Sequence, residues 1–147
     1  RFLETNYPNI YAAGDVARYR DMLLHTTRRV EHWDNAQAQG ELAAHAMLGE
    51  VEPFKHVPFF FSDVFDMSFE YWGDKREADE VVHRGDLESG SFSAWWLKDG
   101  RLRAALVMDR PDEERELAPQ WIETQVELDR DALAAADTPL QPVAAPV

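Results

Sequence analysis

The apolar positions change their period along the chain, and each change predicts an element. Residues 10–13, Ile-Tyr-Ala-Ala, form a short apolar run that stops on Gly14-Asp15. This reads as a strand ending in a turn, which leaves a carboxylate at the carboxyl edge of a sheet, where open α/β sheets bind ligands. So short a run is expected to pair with strands that lie outside this chain, the first sign of a missing half. Residues 16–27 lack a clean period and, with Arg18, Tyr19, Arg20 and Asp21, read as a polar connection. Over residues 34–48 the spacing predicts a helix, with Gly49 as its C-terminal cap. Ala36, Gly40, Ala43 and Met47 share one face of it. A glycine in mid-helix costs about 1 kcal/mol against alanine, so close approach of a sheet or ligand is expected at Gly40.

Residues 50–56 read as a linker, with Pro53 and Pro58 breaking regular structure. Phe59, Phe60 and Phe61 follow in a row. Successive strand residues face opposite sides, so at least one of these rings is expected against another surface. Beyond Asp66 the texture becomes β, with strands predicted over residues 68–72, 80–84, 92–97 and 102–108. Asp99-Gly100 between the last two predicts a two-residue type I′ hairpin, which needs positive φ at both positions. Trp95 and Trp96 then face opposite ways, one into a core and one toward an interface. Pro111 followed by Asp112, Glu113 and Glu114 is helix-start chemistry, and Pro119 is expected to break or kink that helix. Asp129 or Asp131 is expected to cap a last short helix. Residues 138–147, uncharged and with three prolines, predict a mobile tail. The sum is an α+β chain: an antiparallel β-sheet with flanking helices.

Composition narrows the function. The 147 residues suffice for one core, or for one core plus a piece of another. A net charge of -13 argues against nucleic-acid backbones and anionic membranes, which would repel it. With no cysteine, disulfides, thiolate metal sites and redox dithiols within this chain are excluded. No apolar run approaches the roughly 20 residues of a membrane span and nothing resembles a signal peptide, so the cytoplasm is the expected compartment. The opening Arg1-Phe2-Leu3-Glu4-Thr5 carries neither an initiator Met nor helix-start chemistry, and it reads as a cut from something longer.

Two features carry candidate chemistry. Asp15 on its turn suits a polyol hydroxyl, and the helix opening on Glu31-His32-Trp33-Asp34 offers free N–H groups and a positive dipole end to an electron-rich ring edge. Taken singly, Asp15 is an ordinary turn aspartate, and Glu31-His32 is helix-start polarity. A metal site from His25, His32 and Asp34 is disfavoured, since their spacing spans a break and lacks a fourth ligand. Ser62-Asp63 lacks a nucleophile elbow and reads as a turn. The acidic clusters at residues 77–80 and 112–116 read as solvated faces.

In order along the chain, these residues resemble a known family. Thr5, Pro8 and residues 10–17 look like the second flavin-binding motif of FAD-dependent pyridine-nucleotide oxidoreductases, in which a strand ends in Ala-x-Gly-Asp. Arg29-Val30-Glu31-His32-Trp33 with Ala36, then Val57-Pro58-Phe59-Phe60-Phe61-Ser62-Asp63, are similar to the ferredoxin-, rubredoxin- and oxygenase-coupled reductases and to apoptosis-inducing factor. The likeness runs from Phe2 to about Leu140. It implies a strand–helix remnant of an FAD-binding α/β domain over residues 1–50, a C-terminal α+β domain over residues 51–137, and a flexible tail over 138–147. The glycine-rich nucleotide turns of the FAD and NAD domains are absent and would lie upstream.

By that likeness the cofactors are FAD and NAD(P)H and the partner is a small iron–sulfur electron carrier such as ferredoxin or rubredoxin, with a homodimer possible. Gly14 and Asp15 would meet the flavin ribityl chain. Glu31, His32 and Trp33 would border the ring, with the helix dipole favouring negative charge on it. Phe60 or Phe61 would close the nicotinamide side. Relatives usually carry Trp before the Ser-Asp pair where this chain has Phe61, which shields but lacks an indole N–H. No side chain need act as acid or base, because hydride passes between cofactors; the segment alone is expected to be inactive. The rival reading is a non-catalytic dimerisation or partner-docking domain.

Overall fold

The computed structural model describes residues 3–141. The chain divides into two units, Arg1–Phe60 and Phe61–Val147, a division downstream of the boundary expected at residues 50/51.

In the first unit the expected strand at residues 10–13 is reduced to an isolated antiparallel bridge between Glu4 and Tyr11. Thr5 N donates to Ile10 O at 2.8 Å and Ala12 N to Leu3 O at 2.9 Å. The physical reason is the absence of neighbours: a strand exists only as part of a ladder, and the one segment available here is residues 3–5. Gly14–Val16 then forms a single 3-10 turn. The expected polar connection contains a hairpin of two short strands, β1 (Tyr19–Arg20) and β2 (Thr27–Arg28), paired antiparallel. Arg28 and Asp21 form an ion pair, both nearly fully buried, and Asp21 Oδ1 also accepts from Leu23 N at 2.7 Å and Leu24 N at 2.9 Å. A charge pair taken out of water and hydrogen-bonded fixes a turn that the sequence period does not reveal.

Helix α1 spans Trp33–Met47. It ends in a Schellman motif: Glu50 N donates to His45 O at 3.0 Å and Gly49 N to Ala46 O at 3.1 Å. Its buried face is not the expected one. Asn35, Gln39, Ala43 and Ala46 are buried, whereas Gly40 is exposed with nothing within 4 Å of an added Cβ, and Met47 is 61% exposed. The face that packs is therefore polar at its first two turns. Leu3, Tyr19, Val30, Ala43 and Phe54 make the apolar core of this unit, with the Tyr19 and Phe54 rings edge-on at 5.2 Å.

The second unit is built on a five-stranded sheet. β3 (Phe59–Val64), which begins at the end of the first unit, β4 (Met67–Gly73), β5 (Glu80–Asp86), β6 (Ser91–Lys98) and β7 (Arg101–Met108) lie in the order β3-β4-β7-β6-β5. The four strands predicted after Asp66 are present, each slightly longer than its apolar run. Lys98 pairs with Arg101 around Asp99-Gly100, both at positive φ (50° and 72°), as a type I′ turn requires. Trp95 is fully buried and packs on Trp121 at 5.7 Å. Trp96 faces the other way beside Tyr71, with the Lys75 ammonium 5.1 Å from its ring centroid.

Helix α2 (Asp112–Thr124) packs on β7 and β4 through Ala118, Trp121 and Ile122. It runs on through Pro119, so the expected break does not occur. The buried side chains on either side of the proline hold the helix to the sheet and offset the lost backbone bond. Helix α3 (Arg130–Ala134) packs on β5, and its N-cap Asp129 accepts from Ala132 N at 2.8 Å.

The tail expected to be mobile from residue 138 is instead docked at its start. Arg84, 4% exposed, donates to the carbonyls of Leu133, Ala135, Ala136 and Thr138, and Leu140 is 6% exposed. Residues 142–147 of that expected tail lie outside the described residues. The described residues are α+β, antiparallel sheets with few helices.

Candidate functional site

Gly14 opens the 3-10 turn at φ +76° and lies against α1: a Cβ on Gly14 would stand 3.3 Å from the Ala36 Cβ. Only a residue without a side chain brings the turn this close in this conformation. The approach is fixed by a buried hydrogen bond, Gly14 N to Gln39 Oε1 at 2.8 Å. Asp15 follows with its side chain exposed. The turn is thus held against the first two turns of α1.

The start of α1 has its own supports. Asn35 is fully buried; its Oδ1 accepts from the Tyr19 hydroxyl at 3.2 Å and its Nδ2 donates to Val30 O at 3.3 Å. Asp34 Oδ2 lies 2.5 Å from His56 Nε2 and accepts from Phe59 N at 3.3 Å, which ties the linker to the first helical turn. A carboxylate there is favoured by the helix dipole. The N-cap residue, His32, makes no side-chain capping bond. Its ring lies 5.3 Å from that of Phe60, tilted by 31°.

The remaining nominated residues are placed as follows. Trp33 is 80% exposed at the first helical position. Glu31 is exposed and pairs with Arg29 at 2.5 Å. Phe60 is 42% and Phe61 58% exposed, and the latter is the first residue of the second unit. Within the first unit the structure brings together Gly14 with α1, and His32 with Phe60. Among the described residues no group of three or more His, Asp or Glu side chains is arranged to hold a metal ion. No helix there is long and apolar enough to cross a membrane.

Sequence reasoning missed Asn35 and Gln39. Both fall where a helical period asks for apolar residues, and a polar residue on a buried stripe was the available signal. Two buried atoms of α1 and its cap, Gln39 Nε2 and His32 Nδ1, have no hydrogen-bond partner among the described residues. Buried polar atoms are rarely left so. Together with an uncapped helix start and the exposed Asp15 carboxylate, they fit a ligand rich in oxygen and ring nitrogen, as FAD is. A cleft of about 680 Å³ at the other end of α1, lined by Leu42, His45, Glu50, Phe54 and His56 among others, contains none of the nominated residues. His45 and His56 there are committed to Glu50 and Asp34.

Known proteins resemble the chain in sequence and in fold. The chain is 35% identical over 127 residues to a monodehydroascorbate reductase of Pisum sativum, covering 80% of this chain and 29% of that protein. It is 33% identical over 142 residues to the ferredoxin reductase subunit of a Sphingobium 5,5'-dehydrodivanillate O-demethylase, covering 96% of this chain and 34% of that protein. In the covalent putidaredoxin reductase–putidaredoxin complex, a chain superimposes with a TM-score of 0.83 at 28% identity, covering 90% of this chain and 32% of that one. The chain thus spans about a third of the length of the relatives it matches. Residues 59–144, from the first residue of β3 onward, match the Reductase C-terminal family, and the chain belongs to that family.

Proposed function

We propose that this chain is the C-terminal part of an FAD-dependent NAD(P)H oxidoreductase that passes electrons to a small iron–sulfur protein. The observation that carries the reading is the Gly14-Asp15 turn, locked by Gln39 against the early turns of an uncapped helix. FAD, when bound, would supply the hydride-accepting and electron-passing chemistry. The chain's residues bind and orient. The Asp15 carboxylate accepts a charge-assisted hydrogen bond from a ribityl hydroxyl. The amides at the N-terminus of α1, of the N-cap His32 and of Trp33, would hold the polar ring edge and favour negative charge there. Glu31 borders the nicotinamide position. Phe60, which stands against His32, excludes water on that side, and Phe61 lies next to it in the strand.

Residues 1–50 would complete an FAD domain and residues 51–137 form the reductase C-terminal domain, with the cytoplasm as the compartment. Relatives named for a ferredoxin reductase subunit and for a complex with putidaredoxin support a protein acceptor; the monodehydroascorbate reductases offer a small-molecule one. The test is to purify both the 147-residue chain and the complete protein containing it. The chain alone should be colourless. The complete protein should hold FAD stoichiometrically and reduce ferredoxin faster than monodehydroascorbate. A complete protein without flavin overturns the reading.

One observation favours a docking role beside this. Phe65, at the tip of the β3–β4 hairpin, is fully exposed at φ 57°, next to Val64 and Met67, which are 44% and 50% exposed. An aromatic in the left-handed region costs stability by itself, which is consistent with a contact it makes elsewhere. If so, Phe65→Ser weakens self-association or carrier affinity in sedimentation experiments, and an unchanged profile rejects docking through this tip.

A further inference from the structure

We infer that Gln39 is a positioning residue for the flavin: its buried amide holds the Asp15 carboxylate in register with the start of α1. The inference rests on the flavoprotein reading above and adds to it a residue that makes no use of charge and lies in the interior of the unit. Gln39 is 0% exposed. Gly14 N–H can only donate, so the atom 2.8 Å from it must be the side-chain oxygen, and this fixes which way the amide points. The two Nε2 protons then lie on the other side, buried and without an acceptor among the described residues.

The chain on either side of the turn has its own ties to α1, the Tyr11 hydroxyl to Ala46 O at 3.5 Å and the Tyr19 hydroxyl to Asn35 Oδ1 at 3.2 Å. The bridge before it joins only Glu4 and Tyr11, and the other backbone bond in the 3-10 turn is Ala17 N to Gly14 O at 2.9 Å, internal to the turn. Among the described residues the Gly14–Gln39 bond is the polar tie to α1 made by the turn itself, next to the Asp15 backbone. The bond joins residues 25 apart in sequence. Apolar packing at Ala36 limits how close the turn comes, and Gln39 decides its register. An apolar residue of equal size would fill the space but leave the Gly14 N–H buried without an acceptor, and the turn would move to find one.

The experiment compares Gln39→Met and Gln39→Glu in the complete protein, with FAD affinity measured by fluorescence on the apoprotein and thermal unfolding of the same apoprotein measured in parallel. Gln39→Met keeps the volume and removes the acceptor; FAD affinity should fall at least tenfold, with a shifted visible circular dichroism of the residual bound flavin. Gln39→Glu keeps an acceptor for Gly14 and, when protonated, resembles the amide. At low pH, where the carboxyl is uncharged and still accepts from Gly14, its FAD affinity should approach wild type and exceed that of Gln39→Met; as pH rises a buried charge forms and the affinity falls, a profile the wild type lacks. The inference is overturned if Gln39→Met binds FAD as wild type does, or if both variants lose affinity only in step with unfolding and with no pH dependence. Should Gln39→Met fail to fold, the pH profile of Gln39→Glu decides alone. A wild-type protein that binds no FAD would overturn the flavoprotein reading instead, through a different measurement.

Discussion

Arg84 Nε donates to Glu114 Oε1 at 2.9 Å, and neither side chain is more than 4% exposed. The pair joins β5 to α2. The other Arg84 donors reach four carbonyls between residues 133 and 138, so one guanidinium closes the C-terminal segment onto the sheet. Arg110 adds a second cation on the same Glu114 oxygen, at 2.8 Å from its NH2 group. Arg84→Met takes a donor from each of four carbonyls and leaves a buried carboxylate with one partner fewer, which should cost about 3–5 kcal/mol. Urea unfolding of the chain measures it, and limited proteolysis should show new cleavage after residue 133. Arg84→Lys should not recover the loss, because one ammonium cannot replace a planar fork of five donors.

Gly14 is required by conformation and by contact. Gly14→Ala places a Cβ 3.3 Å from that of Ala36 in a backbone with φ +76°. Left-handed backbone costs an alanine about 1–2 kcal/mol. The loss should be visible in urea unfolding of the chain, with weaker FAD binding in the complete protein. Equal stability of the two forms would show that the turn is free to re-form away from α1.

Asp15 should separate binding from folding. Its side chain is exposed, so Asp15→Ala should leave unfolding of the chain unchanged. In the complete protein the same substitution would remove the proposed charge-assisted hydrogen bond, of about 1.5–3 kcal/mol, and should weaken FAD by about ten- to a hundredfold. Fluorescence titration of the apoprotein checks this, and an unchanged affinity would remove Asp15 from the site.

The Asp79–Lys98 pair predicts a pH dependence with opposite signs at its two ends. The hydrogen bond from Lys98 Nζ, at 3.1 Å, holds the Asp79 carboxyl below the usual aspartate range, and the same bond raises Lys98 above the usual lysine range. The aspartate's contribution is present above its unfolded pKa of about 3.9 and is lost as pH falls through the lower folded value. The lysine's contribution is present below about 10.4 and is lost as pH rises through the higher folded value. Asp79→Asn should flatten the acid limb of the Tm–pH curve and Lys98→Met the alkaline limb. Both effects should be small, because the two side chains are 47% and 44% exposed and solvent screens them.

The sequence by itself determined whatever depends on neighbours a few residues away. The four strands after Asp66, the Asp99-Gly100 turn, the end of α1 at Gly49 and the cap at Asp129 all follow from side-chain period, backbone φ or a bond closed within about one helical turn. The Gly14-Asp15 turn and the helix opening were legible as local elements for the same reason. Only the tertiary structure decided which face of α1 is buried, because Gly14 reaches Gln39 across 25 residues and a polar side chain becomes a core residue only when a distant donor meets it. The docked segment beyond α3 is of the same kind: residues that read as a loose, uncharged tail are held by Arg84, 54 positions before Thr138. Hydrophobic period records which residues avoid water, whereas a buried hydrogen bond depends on two groups brought together by the rest of the fold.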